Sequence, residues 1–256
     1  MSQVATIDAT QPSPARAAPG EYVSLEDNWA DAARAIERTC GVRSGLQVLE
    51  AGGGSQTNVG FLPEPVFTAV DISREQLDRN PWAHHKLLAD LETFEGYTTR
   101  YDAVVCSDVL EHLARPEEAL KRLVPALAPG GLLIVGGPVP TSFKGLLTKL
   151  TPHAVHVWVY RRLLGYPMAG KPGHPPFPTV LKFSMGPQPL VAWARENGLT
   201  PVHVGLSHPS WVVGQLRKKS PLLSGLYLGL MATLRTLSFG AWRPDLTDMV
   251  LVFRKS

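Results

Sequence analysis

The segment Val48-Leu49-Glu50-Ala51-Gly52-Gly53-Gly54-Ser55 is the most informative local feature of this 256-residue sequence. An apolar run that ends in an acid and passes directly into three glycines is typical of a buried strand followed by a tight turn. Backbone without side chains can approach a ligand closely there, and the N–H groups of the turn or of a following helix can bind a carboxylate. A glycine-rich turn alone is weak evidence, so its interpretation depends on the segments around it.

Short apolar runs recur along the chain and predict the strands of one sheet. They occupy residues 46–51, 67–70, 103–106 and 132–135, with further candidates near residues 201–205 and 249–254. Because these runs are rich in Val, Leu and Ile without strict alternation, they suit strands covered on both faces, as in a parallel sheet. Helical spacing at residues 24–40, 117–127 and 190–196 supplies covering helices. The sequence therefore predicts an α/β fold.

Two further acids follow predicted strands at positions suited to a nucleoside. Asp71 ends the second apolar run, about 20 residues after the glycines, where a carboxylate can accept both hydrogen bonds of a ribose diol. Asp90 lies where another strand is expected to end, and it can accept from an adenine amino group. Together with the glycine turn, these acids predict a site for a nucleoside-containing cofactor.

The most specific motif is Tyr101-Asp102-Ala103-Val104-Val105-Cys106-Ser107-Asp108-Val109-Leu110-Glu111-His112-Leu113, followed by Leu127-Ala128-Pro129-Gly130-Gly131. With the segments already described, it resembles the class I S-adenosylmethionine-dependent methyltransferases, especially the small-molecule group that includes the ubiquinone-biosynthesis enzymes. The resemblance covers roughly residues 30–140 and the closing strands. It implies a Rossmann-like, doubly wound, mostly parallel sheet with an antiparallel last strand, and S-adenosyl-L-methionine as the cofactor.

The resemblance also implies roles for particular residues. Glu50 and Gly52 to Gly54 would cradle the methionine part of the cofactor. Asp71, with Ile72 beside it, would bind the ribose. The adenine would lie against Asp90 and Leu91, and Ser107 would form the wall beside the methyl donor. These roles are expectations that rest on the family pattern.

The chain departs from that pattern directly after the glycine turn. Gln56 stands where the family usually has a third, spaced glycine, and the following prolines leave little room for a first crossover helix. The cofactor carboxylate would then be held by a loop, with Ser55, Gln56 or Thr57 as donors. A nicotinamide-dependent dehydrogenase is the obvious competing interpretation of a glycine turn with a distal acid, but its glycine spacing differs.

Histidines supply the candidate catalytic groups. A sulfonium methyl is already electrophilic, so the protein chiefly aligns a nucleophile, and a base assists a hydroxyl acceptor. His112 follows the fourth strand at the edge where open α/β sheets bind ligands, and His156 lies in a later insertion with His153 and His174. Packing or capping is the competing interpretation of His112. No metal is expected, because carboxylates at ligand spacing are missing near the insertion histidines.

The expected organisation is a disordered tail at residues 1–20 and one methyltransferase domain at residues 21–256. Two insertions interrupt that domain. Residues 140–189, rich in proline, glycine and aromatic residues, predict a lid over the site. Residues 207–245 predict an apolar helical insertion, whose segment 222–242 has one charge, Arg235, and follows Arg217-Lys218-Lys219. That helix is interpreted as buried through close-packed glycines, as interfacial toward lipid, or as a dimer contact.

Composition bounds the remaining possibilities. A net charge of +3 with scattered basic residues argues against nucleic acid as a partner. Two cysteines and no secretory signal pattern favour the cytoplasm. We therefore predict methyl transfer to a small organic acceptor, most simply a hydroxyl of a hydrophobic, glycolipid or natural-product molecule. N- or C-methylation remains an alternative, as does a non-catalytic module that uses the fold to dock a membrane or a partner. Both the enzyme and the non-catalytic module could contact a membrane peripherally through residues 217–242.

Overall fold

A computed structural model describes residues 25–40, 44–55, 57, 64–95, 97, 99–171, 174 and 176–256. The predicted disordered tail and Gln56 lie outside the described residues. Residues 58–63, where the sequence leaves little room for a first crossover helix, also lie outside them.

Seven strands form one sheet in the order β3-β2-β1-β4-β5-β7-β6. They span Gln47–Ala51 (β1), Val66–Asp71 (β2), His85–Leu88 (β3), Tyr101–Ser107 (β4), Leu127–Pro138 (β5), Leu199–Ser207 (β6) and Asp248–Lys255 (β7). The strands β1 to β5 pair in parallel, whereas β7 runs antiparallel to both β5 and β6. The predicted α/β, doubly wound, mostly parallel sheet with an antiparallel last strand is confirmed.

Eight helices accompany the sheet within the described residues. They span Leu25–Cys40 (α1), Arg74–Asp78 (α2), Pro116–Ala126 (α3), Phe143–Leu150 (α4), His153–Arg162 (α5), Pro187–Glu196 (α6), Ser210–Lys219 (α7) and Pro221–Leu237 (α8). Single 3-10 turns occur at Leu110–His112 and Phe183–Met185. The predicted helices at residues 24–40, 117–127 and 190–196 correspond to α1, α3 and α6.

The core consists of two apolar layers, one on each face of the sheet. Val104 and Leu133 pack on the side of α3 and α6, whereas the next residues, Val105 and Ile134, pack on the side of α1. Successive strand residues point to opposite faces, so a strand covered on both sides must be apolar at every position. This requirement explains the uninterrupted apolar runs of the sequence. Cys106 is a fully buried free thiol in the first layer.

Strand register places the predicted polar residues at one edge of the sheet. Ala51 pairs with Val70, and Asp71 pairs with Leu88, so the carboxyl ends of β1, β2 and β3 are adjacent. Because β7 is antiparallel, its first residue, Asp248, pairs with Pro138 at the carboxyl end of β5. The start of β7 therefore adds a carboxylate to the edge where open α/β sheets bind ligands.

The predicted lid contains ordered helices as well as loops. The Ser142 hydroxyl accepts from the Gly145 N–H (3.0 Å) and donates to the Val139 carbonyl (2.7 Å), which caps the start of α4. The N–H groups of Val180 and Leu181 donate to the Glu111 carbonyl at 2.8 and 3.0 Å. The later part of the predicted lid segment is thus attached to the 3-10 turn that follows β4.

The apolar insertion before β7 forms two helices, and α8 ends at Leu237, earlier than the predicted limit. A side chain at Gly225 or Gly229 would contact nothing within 4 Å. Leu222 and Leu226 are 71% and 61% exposed. The interpretation of a buried helix packed through its glycines is therefore wrong. Within the described residues, no helix combines the length and the apolar character needed to cross a bilayer.

Candidate active site

The glycine turn after β1 is held against β2 by its own backbone. The N–H groups of Gly52 and Gly53 donate to the Val70 carbonyl at 2.7 and 3.0 Å. Gly52 has φ +76°, and a Cβ there would overlap the Val109 side chain. Only glycine satisfies this combination of left-handed backbone and close approach. The first two N–H groups are thus used inside the protein, so a ligand carboxylate would need donors from other groups of the turn.

The buried side chain of Asn80 holds the glycine turn through hydrogen bonds. Its side-chain amide donates to the carbonyls of Gly53 and Gly54 at 3.0 and 3.2 Å. Its oxygen accepts from the N–H groups of Trp82 and Ala83 at 3.0 and 3.1 Å. All the hydrogen-bonding capacity of this side chain is thereby used, because an amide offers two donors and one oxygen with two lone pairs. Sequence reasoning missed Asn80, although the Asn80-Pro81 pair is a recognisable turn signal.

Asp71 at the end of β2 is oriented by two backbone donors. One carboxylate oxygen accepts from the Gly54 N–H (3.0 Å) and the other from the Ser73 N–H (2.8 Å). A carboxylate has about four lone-pair sites, so each oxygen retains capacity for one more donor. The geometry suits a bidentate contact with a diol. Ile72 beside it is largely exposed to solvent.

The other predicted cofactor residues line the same edge. Glu50 is 4% exposed on β1, and Ser107 is buried at the end of β4. Asp90 follows β3, and one of its oxygens accepts from the Glu92 N–H at 2.8 Å. Leu91 is buried in the core layer of α3 and α6. The structure thus places Glu50, Asp71 and Asp90 at or just after the adjacent carboxyl ends of β1, β2 and β3, while their roles toward a cofactor stay a prediction.

A cluster of charged side chains lies beyond the end of β4. Asp108 has φ +53° and accepts from the Ser107 hydroxyl at 3.1 Å. The Lys144 ammonium lies 3.0 Å from an oxygen of Asp248. Burial raises the pKa of Asp108, and it raises the pKa of Glu111 to about 8, with the neighbouring Asp108 charge adding to the effect. Glu111 is therefore largely protonated near neutral pH, which turns it into a hydrogen-bond donor.

Lys144 supplies the positive charge of this cluster. Although burial lowers the pKa of Lys144, the Asp248 carboxylate more than compensates and the pKa is raised. Asp108 and Tyr160 also favour its charged form. Sequence reasoning assigned no role to Asp108, Lys144 or Asp248. The antiparallel last strand was a usable signal for Asp248, because such a strand begins at the edge where the parallel strands end.

His112 is oriented within this cluster. Its Nδ1 lies 2.6 Å from the Pro178 carbonyl, which can only accept, so Nδ1 carries the proton. In the neutral ring Nε2 therefore bears a lone pair, and it lies 3.9 Å from a Glu111 oxygen. The ring also meets Phe177 edge-on, with centroids 6.0 Å apart. In the neutral ring, these contacts leave the Nε2 lone pair at the carboxyl edge of the sheet, as a general base requires.

His156, the second candidate base, is tied to the lid itself. The Thr151 hydroxyl donates to the Leu147 carbonyl and so accepts from His156 Nε2 at 2.6 Å. Burial lowers the pKa of His156, and the nearby His153 lowers it further. Within the described residues, no three or more side chains form a group that could hold a metal. Of the two candidate bases, His112 lies 3.9 Å from Glu111, whereas His156 is hydrogen-bonded to Thr151.

Comparison with known proteins shows similarity to methyltransferases. Residues 49–133 match the family model described as a methyltransferase domain. The chain is 32% identical over 133 residues to the ubiquinone biosynthesis O-methyltransferase of Caulobacter sp. (strain K31), covering 45% of this chain and 50% of that protein. The chain thus spans about half the length of the curated relative that it matches.

Solved structures share the fold at low sequence identity. The [4+2]-cyclase SpnF aligns with a TM-score of 0.53 at 15% identity, covering 91% of this chain and 84% of that one. A putative sarcosine dimethylglycine methyltransferase from Galdieria sulphuraria gives 0.52 at 15% identity, with 90% and 85% covered. The cyclopropane synthase MmaA2 from Mycobacterium tuberculosis gives 0.51 at 16% identity, with 91% and 86% covered.

Proposed function

Because residues 49–133 make this chain a member of the class I S-adenosylmethionine-dependent methyltransferases, we propose that it methylates a hydroxyl of a small hydrophobic acceptor, such as a glycolipid or natural-product molecule. The observation that carries the proposal is the His112 ring, whose Nε2 is free to accept a proton at the edge shared with Glu50, Asp71 and Asp90. When bound, the cofactor supplies an electrophilic methyl group.

The residues at the edge fit this cofactor. The Gly52 backbone has φ +76° and packs against the Val109 side chain, so the turn is already fixed beside the strand ends before a ligand arrives. In the proposal, Asp71 accepts the two ribose hydroxyls, with Ile72 beside them, and Asp90 and Leu91 bind the adenine. The methionine part lies against Glu50, Gly52 to Gly54 and Ser55, with Ser107 beside the methyl group. Fixed acceptors of this kind need no reorganisation when the ligand arrives.

His112 acts as the base in this proposal. The Pro178 carbonyl holds its Nδ1 proton, so Nε2 would take the proton of the acceptor hydroxyl, while the bound cofactor would supply the methyl group and keep the electron pair of the broken sulfur–carbon bond as a neutral thioether. Glu111, 3.9 Å away, is largely protonated near neutral pH, and the positive charge of the resulting imidazolium would favour its ionisation. His156 instead stabilises the lid segment through its hydrogen bond to Thr151.

Two features support a hydrophobic acceptor with a polar head. Phe177, 37% exposed, borders the His112 ring, and Val180 is exposed on the same lid segment. Asp108 and Lys144 provide a hydrogen-bond acceptor and a positive charge beyond β4. Apolar walls with a few convergent polar groups are typical of small-molecule sites.

The test is turnover with a panel of matched acceptors. The purified chain is incubated with methyl-labelled cofactor and with phenols, hydroxylated lipids and the amines of the same carbon skeletons, and products are identified by mass spectrometry. We expect transfer to the hydroxyl compounds. Labelled amines or carbon-methylated products with unreacted hydroxyls would move the chain to the N- or C-methyltransferase alternative.

A non-catalytic module is the alternative from another class. The fold by itself does not specify methyl transfer, since a solved structure titled a cyclase shares it. Tight cofactor binding without transfer to any acceptor would favour this alternative. The oriented Nε2 of His112 supports an enzyme instead.

Peripheral membrane contact is proposed for the outer face of α8. Leu222, Leu226 and Leu230 lie exposed on one side of that helix. The Lys219 ammonium donates to the Arg162 carbonyl at 2.9 Å, which brings the basic ends of α5 and α7 together. Apolar residues beside clustered cations suit an anionic leaflet, each cation contributing about 1 kcal/mol.

Flotation with anionic vesicles tests this contact. We expect the Leu222→Ser/Leu226→Ser/Leu230→Ser variant to float at least tenfold less than the wild type. The Leu147→Ser/Leu150→Ser variant, which removes exposed leucines from α4, serves as the control. Equal recovery of all three proteins with the vesicles would remove the membrane proposal.

A further inference from the structure

A cavity of about 850 Å³ lies between α7, α8 and the loop that leads to β7. Its apolar lining includes Val213 of α7 and Met231 of α8. This volume falls within the roughly 300–1,000 Å³ typical of small-molecule sites. The cavity belongs to the insertion before β7 and not to the strand ends that carry the candidate cofactor residues.

Two arginines without acidic partners line the cavity. Arg217 and Arg235 both line it, one from each helix. Neither has a carboxylate partner within the part of the chain that the structure describes. Both lie in the last turn of a helix, where a cation is favourable. The preference of helix ends for cations explains each arginine separately, but it does not explain why both line the same apolar cavity.

The one carboxylate of the lining is already neutralised. Asp245 accepts from Arg243 through both oxygens at 3.1 and 2.9 Å, and His208 Nδ1 lies 3.6 Å from one of them. The Arg243 hydrogen bonds hold the pKa of Asp245 low despite its partial burial. The charges of Arg217 and Arg235 are therefore the uncompensated ones, and the cavity attracts an anion.

The two faces of α8 separate this cavity from the proposed membrane contact. Tyr227, Met231 and Arg235 follow one another at four-residue spacing on the cavity face. Leu222 and Leu226 lie on the other face, where no charged residue of α8 occurs. A lipid surface would therefore contact Leu222 and Leu226, whereas Arg217 and Arg235 would bind a molecule that enters between the helices.

We propose that this cavity binds a single-chain acidic amphiphile, with the hydrocarbon chain along Val213 and Met231 and the acidic group between Arg217 and Arg235. Burial of the chain provides the affinity, and two guanidiniums select for an anionic head. Binding requires neither the cofactor nor methyl transfer, so this proposal stands apart from the proposed function.

Isothermal titration calorimetry with myristate, below its micellar concentration, tests the proposal on the full chain. We expect saturable binding at least tenfold tighter than that of tetradecyltrimethylammonium, which has a chain of the same length and the opposite charge. The Arg217→Gln/Arg235→Gln variant should lose this preference. The Lys218→Gln/Lys219→Gln variant removes the same charge outside the cavity lining and should bind myristate within twofold of the wild type.

A blocking variant tests the location. Ala232 lines the cavity from an exposed position, so Ala232→Trp fills space without disturbing the core and should weaken myristate binding at least tenfold. Unchanged binding by this variant, or equal affinity for the two surfactants, would overturn the proposal. Binding to phosphatidylglycerol vesicles without binding to free myristate would also overturn it, because the cations would then serve a membrane surface.

Discussion

The carboxyl edge of β1 to β4 and the helical cover of α4, α5, α7 and α8 differ in how their side chains are used. At the edge, Asp71 accepts from two backbone N–H groups and Asn80 makes four hydrogen bonds. On the cover, Leu150 and Leu222 are 80% and 71% exposed. We therefore expect the edge to bind the cofactor and the cover to offer apolar surface to the acceptor. This division would place the chemistry at the hydrogen-bonded edge and the choice of acceptor in the cover.

Replacing His112 is the most severe test of this division. The edge should lose catalysis in the His112→Gln variant by roughly 10²- to 10⁴-fold, because proton removal contributes about that much. Cofactor affinity should remain, since His112 contacts the lid through Pro178 and not the glycine turn. Turnover and calorimetry on the same samples separate the two quantities.

Two further variants sharpen that result. His85 is exposed on β3, and the His85→Gln variant should keep full activity. His156→Gln tests the other histidine predicted from the sequence. A loss at His156 as large as at His112, with stability unchanged, would assign the base to the cover and break the division.

The glycine turn should respond more strongly than an equivalent glycine elsewhere. Gly52 and Gly45 share φ +76°, but a Cβ would overlap Val109 at Gly52 and contact nothing at Gly45. Gly45→Ala costs about 1–2 kcal/mol of backbone strain, and Gly52→Ala adds roughly 1–3 kcal/mol of overpacking. We expect cofactor affinity to fall about 100-fold only for Gly52→Ala. Equal affinities in calorimetry would show that the turn does not contact the cofactor.

Asn80 should affect cofactor binding through the turn it supports. Asn80→Ala leaves the Gly53 and Gly54 carbonyls without their donor, which costs about 1–3 kcal/mol. We expect about tenfold weaker cofactor binding together with a lower free energy of unfolding. Asn197→Ala, which removes a bond to the Trp193 carbonyl in α6, should lower stability alone. If Asn197→Ala weakens the cofactor equally, the effect is general destabilisation.

Glu111 should give the smallest and most specific signal, a pH dependence of stability. Its pKa is raised to about 8 in the folded protein from the ordinary 4.5, so the folded state binds more protons between these values. Stability therefore falls as pH rises through this window, by at most about 1.4 kcal/mol per pH unit. Burial lowers the pKa of His203 and His208, which acts in the opposite direction below their ordinary value of 6.5.

Urea unfolding between pH 6.5 and 8 isolates the Glu111 contribution. The wild type should lose stability over this range, and the Glu111→Gln variant should be flatter because its amide does not titrate. Parallel slopes for the two proteins would mean that Glu111 is ionised in the folded state at neutral pH.

The sheet and the glycine turn at its carboxyl edge could be predicted because their physical requirements are local. Doubly covered strands demand apolar runs, and the turn after β1 demands glycine, so both leave a visible pattern in the sequence. Asp71 was predictable for the same reason, since it ends its own strand.

The remaining parts depend on contacts between distant segments. Asn80 acts on residues 26 and 27 positions earlier in the chain, and Lys144 pairs with Asp248 across 104 positions. Whether α8 is buried depends on whether another segment packs against Gly225 and Gly229. The spacing of residues within one helix does not show which segment lies beside it. Helical periodicity identified the helix but could not tell an exposed apolar face from a buried one.

The most direct test of the central claim is calorimetric titration of S-adenosylhomocysteine into the wild type, Asp71→Ala and Asp78→Ala. Asp78 is the exposed last residue of α2 and serves as the charge-matched control. We predict one saturable site in the wild type and in Asp78→Ala, and about 10- to 100-fold weaker binding in Asp71→Ala, the loss expected for hydrogen bonds to a charged group. Absence of binding to the wild type, or equal affinity in all three proteins, would contradict the assignment of this edge to an adenosyl group.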